Sequence, residues 1–150
     1  MSQAEYEKYP TFYDGTHATL YDCTAEVPHL AIGMWKGFFR LDDKTFIDEM
    51  WLSIDFIKQK EIVTIISDHS ELKVVSADVL DWLHANWYPN AAKNGLRIEV
   101  ALDAKGAIAS LSLKKMLDEA KTGTVSTPKF SDFRSAYDFC VKFLKEYTPG

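Results

Sequence analysis

The clearest pattern of apolar and polar positions lies in residues 61–87, EIVTIISDHSELKVVSADVLDWLHANW. Residues 62–66 are β-branched and almost entirely apolar, which predicts a strand covered on both faces and therefore central in a sheet. Residues 68–75, which begin with polar side chains, are predicted to form a connecting loop. Ser76 is then the expected N-cap of a helix whose inner stripe is Val79, Leu80, Leu83 and Trp87.

Two short apolar stretches precede this unit, at residues 18–24 and 29–35. The connection between them contains Pro28, and this spacing predicts an antiparallel hairpin. Gly33 and Trp35 are expected on one face of the second strand, where the glycine allows another group to approach the backbone closely.

Helix boundaries can be predicted from capping and breaking residues. Asp42 or Asp43 is expected to cap a helix that runs to about residue 58, because a carboxylate there accepts unpaired backbone N–H groups. Pro89 is expected to kink the helix that contains Trp87 or to start a new turn, and the Asn94–Gly95 pair to end it.

The last third of the chain predicts one more strand and two more helices. Residues 96–101 alternate in polarity, which is typical of a strand with one face partly wet. Residues 111–121 have the periodicity of a helix. A very short strand is expected at residues 124–126, and Ser131 is expected to cap the final helix.

Strands and helices alternate after residue 35, and this order predicts an α/β fold. We expect a mixed sheet of four to five strands that includes the N-terminal hairpin and is covered by about four helices. Residues 18–150 would form this single domain. Residues 1–17, which are rich in aromatic side chains, would be a tail or a docking segment.

The charge of the chain narrows the classes of partner. With a formal net charge of −5 over 150 residues, the surface repels phosphate groups, so nucleic acid and anionic membranes are not expected partners. The N-terminus lacks the pattern of a secretory signal, and no run approaches the roughly 20 apolar residues of a membrane span. We therefore expect a cytoplasmic protein without a membrane span.

Two cysteines, Cys23 and Cys140, lie in a predicted strand and on the apolar stripe of the last helix. Buried free thiols behave as small hydrophobic groups, and nothing else in the chain indicates an oxidising compartment. A disulfide between the two remains open at this point.

Candidate chemistry is concentrated in Asp68-His69-Ser70, which follows the predicted central strand. Open α/β sheets bind ligands at the carboxyl ends of their strands, and these residue types also occur in hydrolase triads. The alternative, which we favour, is that the side chains satisfy the backbone of a turn. Ser76 could likewise hold an anion at a helix N-terminus, but simple capping is the better interpretation.

Metal and nucleotide sites are not predicted. The four histidines have no metal-ligand spacing with one another or with cysteine, and the glycines are too scattered for a phosphate-binding loop. We expect no metal site and no cofactor.

Four aromatic residues, Trp35, Phe38, Trp82 and Trp87, could wall an apolar pocket or form a subunit contact. The alternative is ordinary core packing, since large aromatic side chains dominate the energetics of protein cores. The pocket interpretation requires Trp35 or Trp82 to be partly exposed in the isolated subunit.

Three blocks of sequence are similar to one known family. They are residues 34–37 (MWKG), residues 68–96 with WYP at 87–89 and GL at 95–96, and Phe130-Ser131 followed by Ala136. Residues 18–147 thereby resemble the SpoIIAA-like group, also called STAS/SEC14-domain proteins, and in particular its short bacterial single-domain members. The shared motifs are structural more than chemical.

The resemblance implies a mixed sheet covered by helices and a role in regulation or ligand binding. Better-known relatives are anti-sigma-factor antagonists, which are switched by phosphorylation of a serine at the start of the helix after the central strand. Asp68 and Ser70 match the first part of that motif, but Asp78 stands at the phosphorylated position, so the switch is missing. Sec14-like members of the group bind lipids in an apolar cavity.

These observations together predict a non-enzymatic regulatory or binding domain without a catalytic residue. The predicted binding residues are Trp35, Phe38, Asp68, His69, Ser70, Ser76, Trp82 and Trp87. We expect it to engage a protein partner or a small apolar ligand and to form a homodimer. Two alternatives stay open: a small hydrolase or isomerase that uses Asp68 or His69, and a degenerate regulator of the anti-sigma-factor-antagonist type.

Overall fold

A computed structural model describes residues 5–147 as an α/β fold built on one six-stranded mixed sheet with the order β1-β2-β3-β4-β5-β6. The predicted α/β class is confirmed, and the sheet has six strands where four to five were expected. The strands are β1 (Thr11–Asp14), β2 (Ala18–Asp22), β3 (Leu30–Phe39), β4 (Thr64–Val75), β5 (Ile98–Leu102) and β6 (Lys129–Phe130).

The helices pack on both faces of this sheet. They are α1 (Lys44–Gln59), α2 (Ala77–Trp82), α3 (Tyr88–Lys93), α4 (Ala107–Met116), α5 (Glu119–Thr122) and α6 (Phe133–Glu146). A π-helical turn, Leu83–Trp87, joins α2 to α3. Pro89 follows this turn without interrupting the helical path. The wider turn accommodates a residue that has no backbone N–H.

Strand β4 lies in the middle of the sheet, between β3 and β5, and it is parallel to both. The strand predicted at residues 62–66 is central as expected, although it begins at Thr64 rather than at Ile62. The N-terminal hairpin is also confirmed, because β2 and β3 pair in antiparallel fashion. Strand β1 extends the antiparallel part and is formed by residues 11–14 of the segment expected to be a tail or docking segment.

The prediction of a connecting loop at residues 68–75 is wrong, because β4 continues to Val75. Its partner β3 is equally extended, and Phe39 pairs with Val75 at the far end. The parallel pairing contains two irregularities, and Gly37 in β3 adopts a φ of 82°, which suits glycine. The polar side chains of residues 68–75 therefore lie on a strand whose backbone is hydrogen-bonded to β3.

The core is divided between the two faces of the sheet. On the α1 face, Ala31, Trp35 and Ile65 pack against α1 and the helices of residues 77–93. On the α6 face, the main contributors are Leu30, Ile32, Ile66, Val100, Phe133 and Ala136. Cys23 and Cys140 also belong to the α6 face, where both are buried and free. The disulfide that the sequence left open is therefore not formed.

The capping predictions had mixed outcomes. Asp43 accepts hydrogen bonds from the backbone of Thr45 and Phe46 and begins α1 as predicted. Ser131 was expected to cap the last helix, but Asp132 does so by accepting from the backbone N–H of Ser135. A carboxylate one residue further along has the same local pattern as the serine, so the sequence alone could not separate them.

Three features in the last third of the chain differ from prediction. Strand β5 is buried at every position, because helices cover both of its faces, and it has no wet face. The helix expected at residues 111–121 begins earlier, at Ala107, and a second short helix follows it. Residues 124–126 contribute only a single bridge, between Ser126 and Ile98.

Candidate functional site

A chain of hydrogen bonds crosses the buried α1 face of the sheet. Trp35 Nε1 donates to Ser67 Oγ over 2.9 Å, and Ser67 Oγ donates to Glu99 Oε2 over 2.7 Å. Tyr88 Oη donates to the other carboxylate oxygen of Glu99 over 2.5 Å. Burial raises the pKa of Tyr88 well above its ordinary value, and the neighbouring Glu99 adds to this effect. All four side chains are buried, so the network fixes the central strands relative to the helices.

Glu99 was missed as a candidate by sequence reasoning. It stands in an alternating segment, Ile98-Glu99-Val100, where a charged residue normally faces solvent. No local signal distinguishes this position from an exposed one. Its burial follows from the helices that cover β5 and from the two hydroxyl groups that reach it.

His69 lies beside this network, at a point where β5 has ended. Its Nδ1 is 3.0 Å from the backbone oxygen of Leu102, which can only accept, so Nδ1 carries the proton. Its Nε2 is buried and has no hydrogen-bond partner within residues 5–147. Burial lowers the pKa of His69, an effect that the nearby Glu99 carboxylate opposes. The imidazole is therefore held in its neutral form.

His69, Trp35 and Trp87 line one small internal cavity of about 20 Å³. The rest of its wall is Phe39, Met50, Leu83, Tyr88, Glu99 and Met116. A space of this size is comparable to one water molecule and is far smaller than the several hundred Å³ of typical ligand pockets. Both tryptophans are 3% exposed. The expectation was that Trp35 or Trp82 is partly exposed: Trp35 is buried, whereas Trp82 is half-buried.

Asp68 faces the opposite side of the sheet from His69, as consecutive strand residues do. Its Oδ2 accepts a hydrogen bond of 2.6 Å from Tyr6 Oη, and its Oδ1 accepts one of 2.8 Å from the backbone N–H of Ser70. Burial raises the pKa of Tyr6, and the bond to Asp68 raises it further. The structure thus separates Asp68 from His69 and does not assemble them into a dyad.

The remaining predicted site residues lie at the surface and apart from the cavity. Phe38 is 55% exposed and pairs across the strands with Val74, which is also exposed. Trp82 is half-buried and packs edge-on against Trp51, with ring centroids 5.6 Å apart. Ser76 stands at the start of α2 with its hydroxyl directed at Asp78 rather than at a backbone N–H. The eight predicted residues therefore do not form one site.

An open groove lies between the second half of β4 and the start of α4. It has a volume of about 500 Å³, and its walls are residues 70–73 and 105–109. Ile108 is 72% exposed on the helix side, an unusual position for an isoleucine. Ser70 is the one predicted site residue in this wall. Sequence reasoning missed the groove because it placed the start of this helix at residue 111 rather than at Ala107.

Comparison with known proteins adds no assignment. No protein-family model matches the chain, and no curated protein matches it significantly. Within residues 5–147, no helix has both the length and the apolar character that a bilayer crossing requires. The same part of the chain brings together no group of three or more His, Cys, Asp or Glu side chains suited to a metal ion.

Proposed function

We propose that this chain is a non-enzymatic cytoplasmic binding domain that engages a protein partner through the groove between β4 and α4. The observation that carries this proposal is the contrast between two spaces. The groove measures about 500 Å³ and is open to solvent, whereas the tryptophan-lined cavity measures about 20 Å³. Of these two spaces, the groove has the volume for another molecule's side chains.

The same contrast favours a protein partner over a small apolar ligand. Trp35 and Trp87, which would have lined an apolar ligand pocket, use their indole N–H groups to bind Ser67 and Ser53 inside the core. The groove instead combines Ile108 with polar and charged groups of β4. A mixed surface of this kind is typical of protein–protein contacts.

A peptide selection tests the proposal directly. Random ten-residue peptides displayed on phage would be selected on the purified wild-type chain, and the enriched peptides measured by fluorescence anisotropy. Ile108→Asp should weaken their binding at least about tenfold, because it places a charge on the apolar wall. Leu111→Asp is the matched control, since Leu111 is exposed on the same helix but does not line the groove.

Two results of this selection would contradict the proposal. One is a failure to enrich any peptide above an unrelated control protein. The other is equal binding of the enriched peptides to the wild type and to Ile108→Asp. Equal losses of peptide affinity in Ile108→Asp and Leu111→Asp would indicate a contact outside the groove. This result would also contradict the proposal.

A hydrolase or isomerase is a second candidate, and one observation supports it. His69 is neutral, its Nε2 is unpaired within the described residues, and Glu99 lines the same cavity. Such an imidazole has the properties of a general base. The small cavity weighs against it, since a substrate would have to displace the aromatic wall. Turnover of a panel of activated esters that is lost in His69→Gln would favour this candidate.

A degenerate regulator of the anti-sigma-factor-antagonist type is a further proposal, and it rests on the resemblance to the SpoIIAA-like group. Asp78 stands exposed in the first turn of α2, next to Ser76. A carboxylate there carries a permanent negative charge where relatives gain one by phosphorylation. If this surface binds the partner, Asp78→Lys should abolish peptide binding while Ile108→Asp leaves it unchanged.

A further inference from the structure

Resting on the proposed function, we infer that the groove binds an extended, acidic segment of another protein, which adds as a strand to the open edge of β4. The proposal names both the chemistry of the partner and its mode of binding. It depends on three features of the groove: an unpaired strand edge, space beside that edge, and positive charge on both walls.

The unpaired edge results from the different lengths of β4 and β5. Strand β5 ends at Leu102, which pairs with Asp68, while β4 continues to Val75. Within residues 5–147, the stretch 69–75 therefore has β3 as its only strand neighbour. The Ser70 N–H of this stretch already donates to Asp68 Oδ1. The rest of the edge can offer backbone N–H and C=O groups to an incoming strand.

The side chain of His69 marks the point where the β4–β5 pairing ends. Its Nδ1 binds the backbone oxygen of Leu102, the last residue of β5. The next residues of β4, 70–73, then form one wall of the groove. The strand edge and the groove are thus the same place.

The opposite wall is the start of α4, and it offers an apolar contact. Ile108 projects there with 72% of its surface exposed, opposite the buried Leu72 of β4. Successive side chains of a bound strand point in opposite directions. We therefore expect every second residue of the partner to be apolar on the side that meets Ile108.

Positive charge is present on both walls. Lys73 of β4 and Lys105, just before α4, are exposed, and neither forms an ion pair with any described residue. Glu71 is the acidic residue of the lining, and the nearby Asp103 is already paired with Lys129. Two lysines against one carboxylate form a local positive site on a chain of net charge −5. Charge complementarity therefore favours an acidic partner.

Charge reversal tests the chemistry of the partner. The ten-residue phage library would be selected separately on the wild type, on Lys73→Glu/Lys105→Glu, and on Lys93→Glu/Lys142→Glu. The last variant has the same net charge and alters exposed lysines on α3 and α6, outside the groove. We expect Asp and Glu to be enriched by the wild type and by this control. The groove variant should bind those peptides at least about tenfold more weakly and should enrich Lys and Arg instead.

Backbone methylation tests the mode of binding. Each backbone nitrogen of the best wild-type peptide would be N-methylated in turn, which removes one hydrogen-bond donor at a time. Strand addition predicts losses at every second position, because alternate N–H groups of a strand point toward its neighbour. Amide hydrogen exchange should also slow in residues 71–74 of β4 when the peptide is bound.

The outcomes separate this inference from the proposed function. Two results would overturn the inference: enriched peptides that lack acidic residues, or methylation losses that do not recur at every second position. If Ile108→Asp still weakened binding, the groove would remain the binding site. Loss of that sensitivity would overturn both. A peptide that binds only by dissociating a dimer of the chain would identify a second copy as the occupant, and this too would overturn the inference.

Discussion

Tyr6 and Asp68 are joined by a buried hydrogen bond of 2.6 Å, across 62 positions of sequence. The bond ties the N-terminal segment to the central strand β4 on the α6 face of the sheet. Tyr6 also packs edge-on against Tyr21, with ring centroids 5.2 Å apart. Asp68 was a candidate for chemistry at an open rim, and the structure gives it a role in holding the N-terminal segment against the sheet.

Removing the Tyr6 hydroxyl should destabilise the fold. Tyr6→Phe leaves Asp68 Oδ2 buried without this donor, and we expect a loss of about 1–3 kcal/mol in the free energy of unfolding. Urea denaturation followed by tryptophan fluorescence measures this loss. Tyr9→Phe is the control, because its partner Glu26 is exposed and regains water. Equal effects of the two substitutions would contradict a special role for Asp68.

Gly33 should not tolerate a side chain, although it lies in a strand. A Cβ atom there would lie 2.9 Å from Cζ2 of Trp35, so the indole would have to move away from Ser67. We expect Gly33→Ala to cost about 1–3 kcal/mol of unfolding free energy, as over-packing does. Thermal denaturation would measure it. Gly106→Ala, which meets no atom within 4 Å and has a φ of −84°, is the control and should cost less, limited to the weaker capping of a helix by alanine.

The network around Glu99 should be sensitive to loss of either donor. Tyr88→Phe leaves one oxygen of the buried carboxylate without the Tyr88 hydroxyl, and we expect a loss of about 1–3 kcal/mol in unfolding free energy. A double-mutant cycle with Ser67→Ala measures whether the two bonds are coupled. Strictly additive losses would indicate two independent hydrogen bonds rather than one network.

Stability should fall in mild acid because of His69. Its pKa is lowered in the folded state by burial, so below pH of about 6.5 the unfolded chain binds a proton that the folded chain does not. The neutral imidazole therefore makes its full contribution to the free energy of unfolding above that pH, and this contribution is lost as the pH falls. Relative to His69→Gln, the wild type should lose up to about 1.4 kcal/mol per pH unit between pH 6 and 5. Parallel pH profiles of unfolding free energy would contradict this assignment.

The proposed homodimer has a direct test in sedimentation. Exposed apolar side chains, among them Phe38 and Trp51, offer surfaces that a second copy could cover. Sedimentation velocity over a range of concentrations should then give a species near twice the 17.1 kDa mass of the chain. A single 17.1 kDa species at all concentrations would contradict the homodimer without affecting the groove.

Several features of the fold could be predicted because they depend on local sequence. The β-branched residues 62–66, of which Thr64–Ile66 begin β4, require cover on both faces, as expected of a central strand. Asp43 caps α1, and Gly95, with a φ of 110°, follows the end of α3 as the Asn-Gly pair predicted. In each case the responsible groups lie within a few residues of one another.

The tertiary structure decided which polar residues are exposed. Residues 68–75 look like a loop by composition, yet they form a strand because the distant β3 supplies their backbone partners. Glu99 looks like a surface residue, yet it is buried because Ser67 and Tyr88 donate to it from other elements.

The candidate site shows the same division. The sequence by itself marked Trp35, Trp87 and His69 as candidate binding residues. The structure places all three around one cavity. Only the tertiary structure decided that this cavity is small, and that the open groove lies beside Ile108 instead. The physical reason is that cavity volume and strand pairing depend on contacts between segments far apart in the chain, whereas periodicity and capping depend on neighbours.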